Sequence, residues 1–65
     1  MKITLNGSAV ETDQADLSAL VRAQGLDPSS LVIEHNFDVI KQEKWPQTPV
    51  REGDTVELLN FVGGG

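Results

Sequence analysis

Residues 1–12 read MKITLNGSAVET, and they carry the clearest structural signal of the chain. Apolar and polar side chains alternate over 1–5, which is the period of a half-buried strand. Asn6 and Gly7 both tolerate a positive φ, so the pair favours a two-residue type I′ turn. The alternation then resumes and predicts a second strand over 8–12. A β-hairpin is therefore the first element that we expect.

A helix is expected after the hairpin. Asp13 or Asp16 can accept hydrogen bonds from the free N–H groups of its first turn. Gly25 lies at the expected end of this helix, where a residue in the left-handed conformation commonly forms the C-terminal cap. Three apolar residues at i, i+3 and i+4 give the helix one apolar stripe; they are Leu17, Leu20 and Val21.

The rest of the chain predicts three more strands, over 31–35, 39–40 and 55–59, from its apolar and β-branched runs. Residues 27–30, 36–38 and 52–54 read as a loop and two turns, and 42–50 as an irregular crossover because prolines interrupt it. This order predicts an α+β, β-grasp (ubiquitin-like) fold. In this fold, one main helix packs on one face of a mixed sheet of four to five strands. We expect the last strand to pair beside the first, at the sheet centre.

The strand period assigns side chains to the two sheet faces. Leu59 and Phe61 fall on the face opposite Val56 and Leu58, and Val32 can share that outer face. These three residues are a candidate docking surface, unless the crossover covers them. Trp45 is interpreted as a cover on the core. The predicted inward set is Ile3, Leu5, Val10, Leu17, Leu20, Val21, Leu31, Ile33, Ile40, Val56 and Leu58.

Length and composition limit the range of possible functions. A chain of 65 residues holds one domain, predicted over 1–62, with a flexible glycine tail over 63–65. A domain this small buries only about 60% of its unfolded surface, which disfavours a spacious catalytic pocket. It has no cysteine, and its formal charge of −5 argues against nucleic-acid binding. The charge fits docking on a basic partner, or serves only solubility.

Nothing in the sequence predicts an association with membranes. No stretch approaches the ~20 apolar residues that span a bilayer. The first residues carry no long apolar run after Lys2, so we expect no signal peptide and a cytoplasmic location. We also expect a monomer when the protein is free.

The terminal triplet Gly63, Gly64 and Gly65 is the strongest chemical clue. Glycines are costly to order, but without Cβ atoms they can thread a narrow channel in a partner. Residues 61–65 fully extended reach about 17 Å. A terminal carboxylate is ionised and unreactive at neutral pH, so an enzyme must first activate it, for example as an acyl-adenylate. The alternative is a disordered end or a cloning remnant.

Other candidate residues are weaker. His35 is the only histidine and there is no cysteine, so we predict no metal site and no catalytic residues, and interpret His35 as structural or exposed. The acidic residues beside the last strand could pair with a partner's arginines, but a solvated edge is the favoured interpretation. They are Glu52, Asp54 and Glu57.

The whole chain resembles one known family. The matching motifs are the hairpin over 1–12, VIEHN at 32–36, VI at 39–40, EKW at 43–45, VREGD at 50–54, and the closing segment 56–65 with its glycines. The most specific part is EGD at 52–54 followed by a strand and the glycines. With these motifs the chain resembles the ThiS family, the sulfur carriers for the thiazole half of thiamin. Gly63 stands where the family often has another small residue.

The resemblance implies a role for the tail and a set of partners. Gly65 would be adenylated by an E1-like, zinc-containing enzyme (ThiF) that consumes ATP, and would become a thiocarboxylate. A donor such as a cysteine desulfurase would supply the sulfur, and thiazole synthase (ThiG) would receive it, with Gly63 and Gly64 lining the channel. The carrier itself would bind no cofactor and would not be an enzyme.

Three other functions stay open at this point. One is a MoaD-like carrier for molybdopterin synthesis, although that family is usually longer. Another is a ubiquitin-like modifier joined to lysines. The third is a ubiquitin-like or TGS-type binding module whose tail is inert.

Overall fold

The computed structural model describes residues 1–61 of the 65-residue chain. No helix within these residues is long and apolar enough to cross a membrane. Their strands are β1 (Lys2–Leu5), β2 (Ser8–Glu11), β3 (Leu31–His35), β4 (Asp38–Ile40) and β5 (Thr55–Asn60). Their helices are α1 (Leu17–Ala23) and two short 3-10 helices, Pro28–Ser30 and Gln42–Gln47.

The five strands form one mixed sheet in the order β2-β1-β5-β3-β4. β5 lies at the centre, parallel to β1 and antiparallel to β3. The two hairpins, β1–β2 and β3–β4, therefore flank the last strand. This topology confirms the predicted β-grasp layout, including the pairing of the last strand with the first.

Helix α1 begins and ends where the sequence predicts. Of the two candidate aspartates, Asp16 is the cap, because its Oδ1 accepts a 2.8 Å hydrogen bond from the Ala19 N–H. Just after the helix, Gly25 has a φ of 71°, the left-handed conformation in which a Cβ is disfavoured. The apolar stripe of α1 is fully buried against the sheet.

Two-residue turns with positive φ close both hairpins. Asn6 and Gly7 have φ values of 50° and 82°, which confirms the predicted type of turn. Asn36 and Phe37 have φ values of 50° and 73°. This second turn is shorter than predicted, because Asp38 already belongs to β4.

The core lies between α1 and the inner face of the sheet. Val10 and Ile40 are only half-buried, because β2 and β4 are the edge strands and the helix does not cover them fully. Val50 is a buried residue that the pattern did not predict. The buried apolar residues are Ile3, Leu5, Leu17, Leu20, Val21, Leu31, Ile33, Trp45, Val50, Val56 and Leu58.

The crossover between β4 and β5 is more regular than predicted. Residues Gln42–Gln47 form a 3-10 helix that packs against α1. It buries Trp45, whose Nε1–H donates a 2.9 Å hydrogen bond to the Ile40 carbonyl. The interpretation of Trp45 as a cover on the core is thus confirmed. Proline did not prevent regular structure here, because a 3-10 turn tolerates it.

The predicted boundary of the domain, between 62 and 63, lies outside the described residues. Residues 1–61 share one sheet and one core. The division into a domain over 1–62 and a tail over 63–65 therefore stays a prediction.

Replacing Trp45 by phenylalanine should destabilise the fold. The Ile40 carbonyl would lose its donor, and the smaller ring would leave a void. We expect a loss of about 1–3 kcal/mol in the free energy of unfolding, measured by urea denaturation followed by circular dichroism. The control is Gln47→Ala, an exposed site in the same 3-10 helix, which should change stability by less than about 0.5 kcal/mol. Equal stability of the two variants would contradict this account of the core.

Candidate functional site

The C-terminal end of β5 is fastened to the rest of the fold. The Phe61 N–H donates a 2.7 Å hydrogen bond to the Ser30 carbonyl. The Ser30 hydroxyl donates to the Asn60 side-chain oxygen at 2.9 Å. The path of the chain is therefore defined as far as Phe61. The candidate site residues Gly63, Gly64 and Gly65 lie outside the described residues.

An apolar patch lies on the outer sheet face beside this end of β5. Leu59 and Val32 are directly opposed in the β3–β5 pairing, so their side chains share the face away from α1. Leu59 is 48% exposed, Phe61 is 63% exposed, and Val32 is half-buried. Trp45 packs into the core instead of covering them. We call Val32, Leu59 and Phe61 the Leu59 patch; its exposure fits a docking surface, and that role stays a prediction.

A polar cluster lies at the opposite end of β5. The Asp54 carboxylate, in a residue only 8% exposed, receives hydrogen bonds from His35 Nε2 at 2.8 Å, the Arg51 N–H at 2.8 Å and Asn36 Nδ2 at 3.1 Å. The interpretation of Asp54 as part of a solvated edge is therefore wrong. Its carboxylate is the anchor of the turn that begins β5.

Hydrogen bonding sets the charge state of Asp54. Burial by itself raises the pKa of this carboxyl, but the hydrogen bonds from His35, the Arg51 N–H and Asn36 outweigh burial and hold the pKa below its usual value. His35 is half-buried and paired with Asp54, so its interpretation as a structural residue fits this geometry. The sequence could not reveal the pair, because the two residues are distant in the chain and meet only across β3 and β5.

Two asparagines also hold β5 in place through their side chains. Asn6 Oδ1 accepts from the Leu58 N–H at 2.7 Å, and Asn36 Oδ1 accepts from the Thr55 N–H at 2.9 Å. Both asparagines adopt left-handed backbone conformations in the hairpin turns on either side of β5. Each turn therefore also fixes the position of the central strand. The Asn-Gly motif signals the first turn, but the sequence carries no signal for its bond to Leu58.

The described residues offer little chemistry of their own. A surface concavity of about 350 Å³ is lined by His35, Asn36, Pro49, Arg51 and Asp54. The hydrogen bonds that Asp54 accepts lower the pKa of its carboxyl, which makes the carboxylate a weaker base. Within residues 1–61, no group of three or more histidine, aspartate or glutamate side chains is placed to hold a metal ion.

These features define a class of protein: a small β-grasp domain whose central, last strand leads into a glycine-rich C-terminal segment. Comparison with known proteins gives the family. The model of the ThiS family matches residues 3–65, so the chain belongs to the ThiS family.

Solved structures and curated relatives agree with this assignment. The crystal structure of the thiamine biosynthesis protein ThiS from Geobacter metallireducens superposes with a TM-score of 0.85, at 33% identity and full coverage of both chains. A solution structure of a thiamine biosynthesis protein from the same organism gives a TM-score of 0.82. The sulfur carrier protein ThiS of Bacillus subtilis is 28% identical over 97% of this chain and 98% of its own length.

The chain is also similar to part of a larger protein. A thiazole synthase of Paramagnetospirillum magneticum is 29% identical over 66 residues, and one of Magnetococcus marinus is 30% identical over 66 residues. The whole chain is matched, but it spans only 20% of the length of each of these relatives.

Replacing Asp54 by asparagine should change how stability depends on pH. A carboxyl whose pKa is lower in the folded than in the unfolded protein stabilises the fold above its unfolded pKa, near 3.8. That contribution disappears as the pH falls through the folded-state pKa. We therefore expect D54N to be less stable than the wild type by about 1–3 kcal/mol at neutral pH. The difference should shrink well below pH 3.8.

The measurement is urea denaturation over a series of pH values. The control is Asp38→Asn, an exposed aspartate on the edge strand β4, which should keep the wild-type pH profile. A D54N deficit that stays constant into the acid range would show that the carboxylate charge is not what stabilises the turn.

Proposed function

We propose that this protein is a sulfur carrier in which the carboxylate of Gly65 is adenylated and converted to a thiocarboxylate that donates sulfur for thiazole formation in thiamin biosynthesis. The observation that carries the proposal is membership of the ThiS family along residues 3–65, which includes the glycine triplet. The relative from Bacillus subtilis, matched over nearly its whole length, is named a sulfur carrier protein.

The described body of the protein supports a passive role. A carrier needs a firm support from which its C-terminal segment leaves, and β5 is the central strand with partners on both sides. A carrier also needs no catalytic group of its own. The partner enzymes supply the catalysis, so this protein is a substrate and not an enzyme.

The chemistry of the proposed cycle balances at Gly65. The terminal carboxylate attacks the α-phosphorus of ATP, forms an acyl-adenylate and releases pyrophosphate. Sulfide then attacks the acyl carbon and expels AMP, so one oxygen of the carboxylate is replaced by sulfur. The adenylate is needed because a carboxylate offers no adequate leaving group at neutral pH.

The proposal names three partners. An E1-like adenylyltransferase of the ThiF type uses ATP to activate Gly65. A donor such as a cysteine desulfurase supplies the sulfur as a persulfide, and a thiol reductant brings that sulfur to the sulfide level at which it replaces AMP. A ThiG-like thiazole synthase accepts the sulfur from the tail, with Gly63 and Gly64 threading its active-site channel. Similarity to proteins named thiazole synthase supports this last partner. The protein itself holds no cofactor in this scheme.

The Leu59 patch completes the proposal as a docking surface. Leu59 is exposed on the outer face of β5, and Phe61, also exposed, follows the last residue of the strand. A partner that binds the segment in its active site will meet these side chains at the entrance. Burying them there removes apolar area from water at about 25 cal/mol per Å².

The direct test of the carrier function is intact mass spectrometry. The protein is incubated with ATP, sulfide and a ThiF-type enzyme from the same organism. We expect the mass to change by the replacement of one oxygen with sulfur, and fragmentation should place the change at Gly65. The control is a variant that lacks Gly64 and Gly65, which should show no change.

Three outcomes would contradict the proposal. The first is a wild-type mass that stays constant, with no adenylate formed. The second is attachment of the protein to lysine side chains, which is the behaviour of a modifier. The third is a natural protein that continues beyond Gly65 and is never cut there.

Replacing Leu59 by serine should weaken docking without unfolding the protein. The side chain is half exposed, so the core keeps its packing. We expect the KM of the carrier in the adenylation reaction to rise about fivefold to tenfold while kcat stays the same, as for loss of an apolar interface contact. Ala9→Ser, an exposed site on the edge strand β2, is the control. An unchanged KM for L59S would remove Leu59 from the docking surface.

A further inference from the structure

Phe37 is an unusual residue in this fold. It is the most exposed large apolar side chain of the described residues, at 81%, and it occupies the tip of the β3–β4 hairpin. Its φ of 73° lies in the left-handed region, which glycine and asparagine adopt readily and aromatic residues rarely do. The fold therefore bears both a strained backbone and an exposed aromatic ring at one position. Neither contributes to the core.

The turn that carries Phe37 is held firmly. Its neighbour Asn36 donates its backbone N–H to the Thr55 carbonyl at 2.8 Å and accepts the Thr55 N–H on its side chain. Asn36 also donates to Asp54, which is bonded in turn to His35. Ring and turn are thus presented on a fixed support. Strain maintained by surrounding hydrogen bonds is a feature of functional positions.

A row of side chains crosses the outer sheet face close to this tip, and it begins at Val39, two residues after Phe37. Val39, Glu34 and Glu57 are directly opposed across β4, β3 and β5. Val39 is 65% exposed, and both glutamates are half-buried. Directly opposed like charges destabilise a sheet. Among the described residues the ion pairs are Met1–Glu11 and His35–Asp54, so no cation there neutralises the two glutamates.

We propose that Phe37, Val39, Glu34 and Glu57 form a second docking surface, here called the hairpin surface, for the enzyme that adenylates the C-terminus. The partner would present an apolar pocket for Phe37 and an arginine or lysine between the two glutamates. This inference rests on the proposed function. It extends the contact from the Leu59 patch to the far end of the sheet, because Thr55 and Asn60 are about 17 Å apart along β5.

Charge decides between the possible occupants of the hairpin surface. A second copy of this chain, placed face to face, would bring two more glutamates against the first two. An anionic lipid surface would also be repelled, since the chain has a formal charge of −5. A protein with a cation beside an apolar pocket satisfies both the glutamate pair and the aromatic ring. Such aromatic anchors dominate many protein interfaces.

The test separates docking from folding through Phe37→Asn. Asparagine tolerates a positive φ, so F37N should be at least as stable as the wild type in urea denaturation. We expect the KM of the carrier with a ThiF-type enzyme to rise about tenfold and kcat to stay the same. Phe37→Tyr keeps the ring and should restore the wild-type KM. A structural role for Phe37 would instead make F37N less stable.

A second variant tests the charges. The double variant E34Q/E57Q removes the repulsion and should also be at least as stable as the wild type. Its KM should rise, and it should lose most of the wild type's salt dependence of binding, measured by titration calorimetry at several ionic strengths. The Leu59→Ser variant serves as the comparison, because it should weaken binding and keep that salt dependence.

Failure of this inference can be told apart from failure of the proposed function. If the wild type binds the enzyme but is never adenylated, the proposed function fails, and calorimetry with F37N still decides on the hairpin surface. The inference is overturned if F37N and E34Q/E57Q bind and react as the wild type does, or if either variant is destabilised. It is also overturned if the wild type does not bind the adenylating enzyme. The same holds if F37N binds thiazole synthase more weakly than the wild type does but binds the adenylating enzyme equally well.

Discussion

Most features of this fold follow from the register of β5. This strand enters the sheet last in the chain and yet lies at its centre, between β1 and β3. Main-chain pairing on both sides is supplemented by Asn6 and Asn36, whose side chains bond the Leu58 and Thr55 N–H groups. A slip of one residue would break both bonds and turn the buried Val56 towards solvent. The position at which the C-terminal segment leaves the body follows from this register.

The two ends of β5 serve different purposes in this account. At its start, the Asp54 carboxylate organises the 51–54 turn and the neighbouring hairpin through three hydrogen bonds. At its end, Phe61 is bonded to Ser30 and the outer face is apolar. The polar end thus stabilises the fold, and the apolar end exposes the Leu59 patch, which is the proposed docking surface. In the proposed function the reactive group belongs to the C-terminal segment, and the body of the protein supports that segment and is recognised by the partner.

Sequence periodicity predicted most of the fold, because alternation, an Asn-Gly turn and a helix cap are local signals. These signals predicted the strands and offered Asp16 as one of two candidates for the helix cap. Nine of the eleven residues predicted to face inward are buried. The local signals missed the burial of Val50 and the hydrogen bonds of Asp54. These depend on which strands become neighbours, and a chain position alone does not carry that information. The left-handed conformation of Phe37 was missed for a different reason, since aromatic residues rarely adopt a positive φ and nothing in the sequence signals one there.

Amide hydrogen exchange measures how firmly β5 is held, since it reports the free energy needed to open each hydrogen bond. We predict that the N–H groups of Thr55 and Leu58, both bonded to asparagine side chains, exchange only through global unfolding. Their protection should therefore match the stability measured by denaturation, and it should fall with stability in D54N. Exchange of these groups at a much lower free energy, while β1 and α1 stay protected, would contradict this prediction. β5 would then be a loosely held strand and not the support for the C-terminal segment.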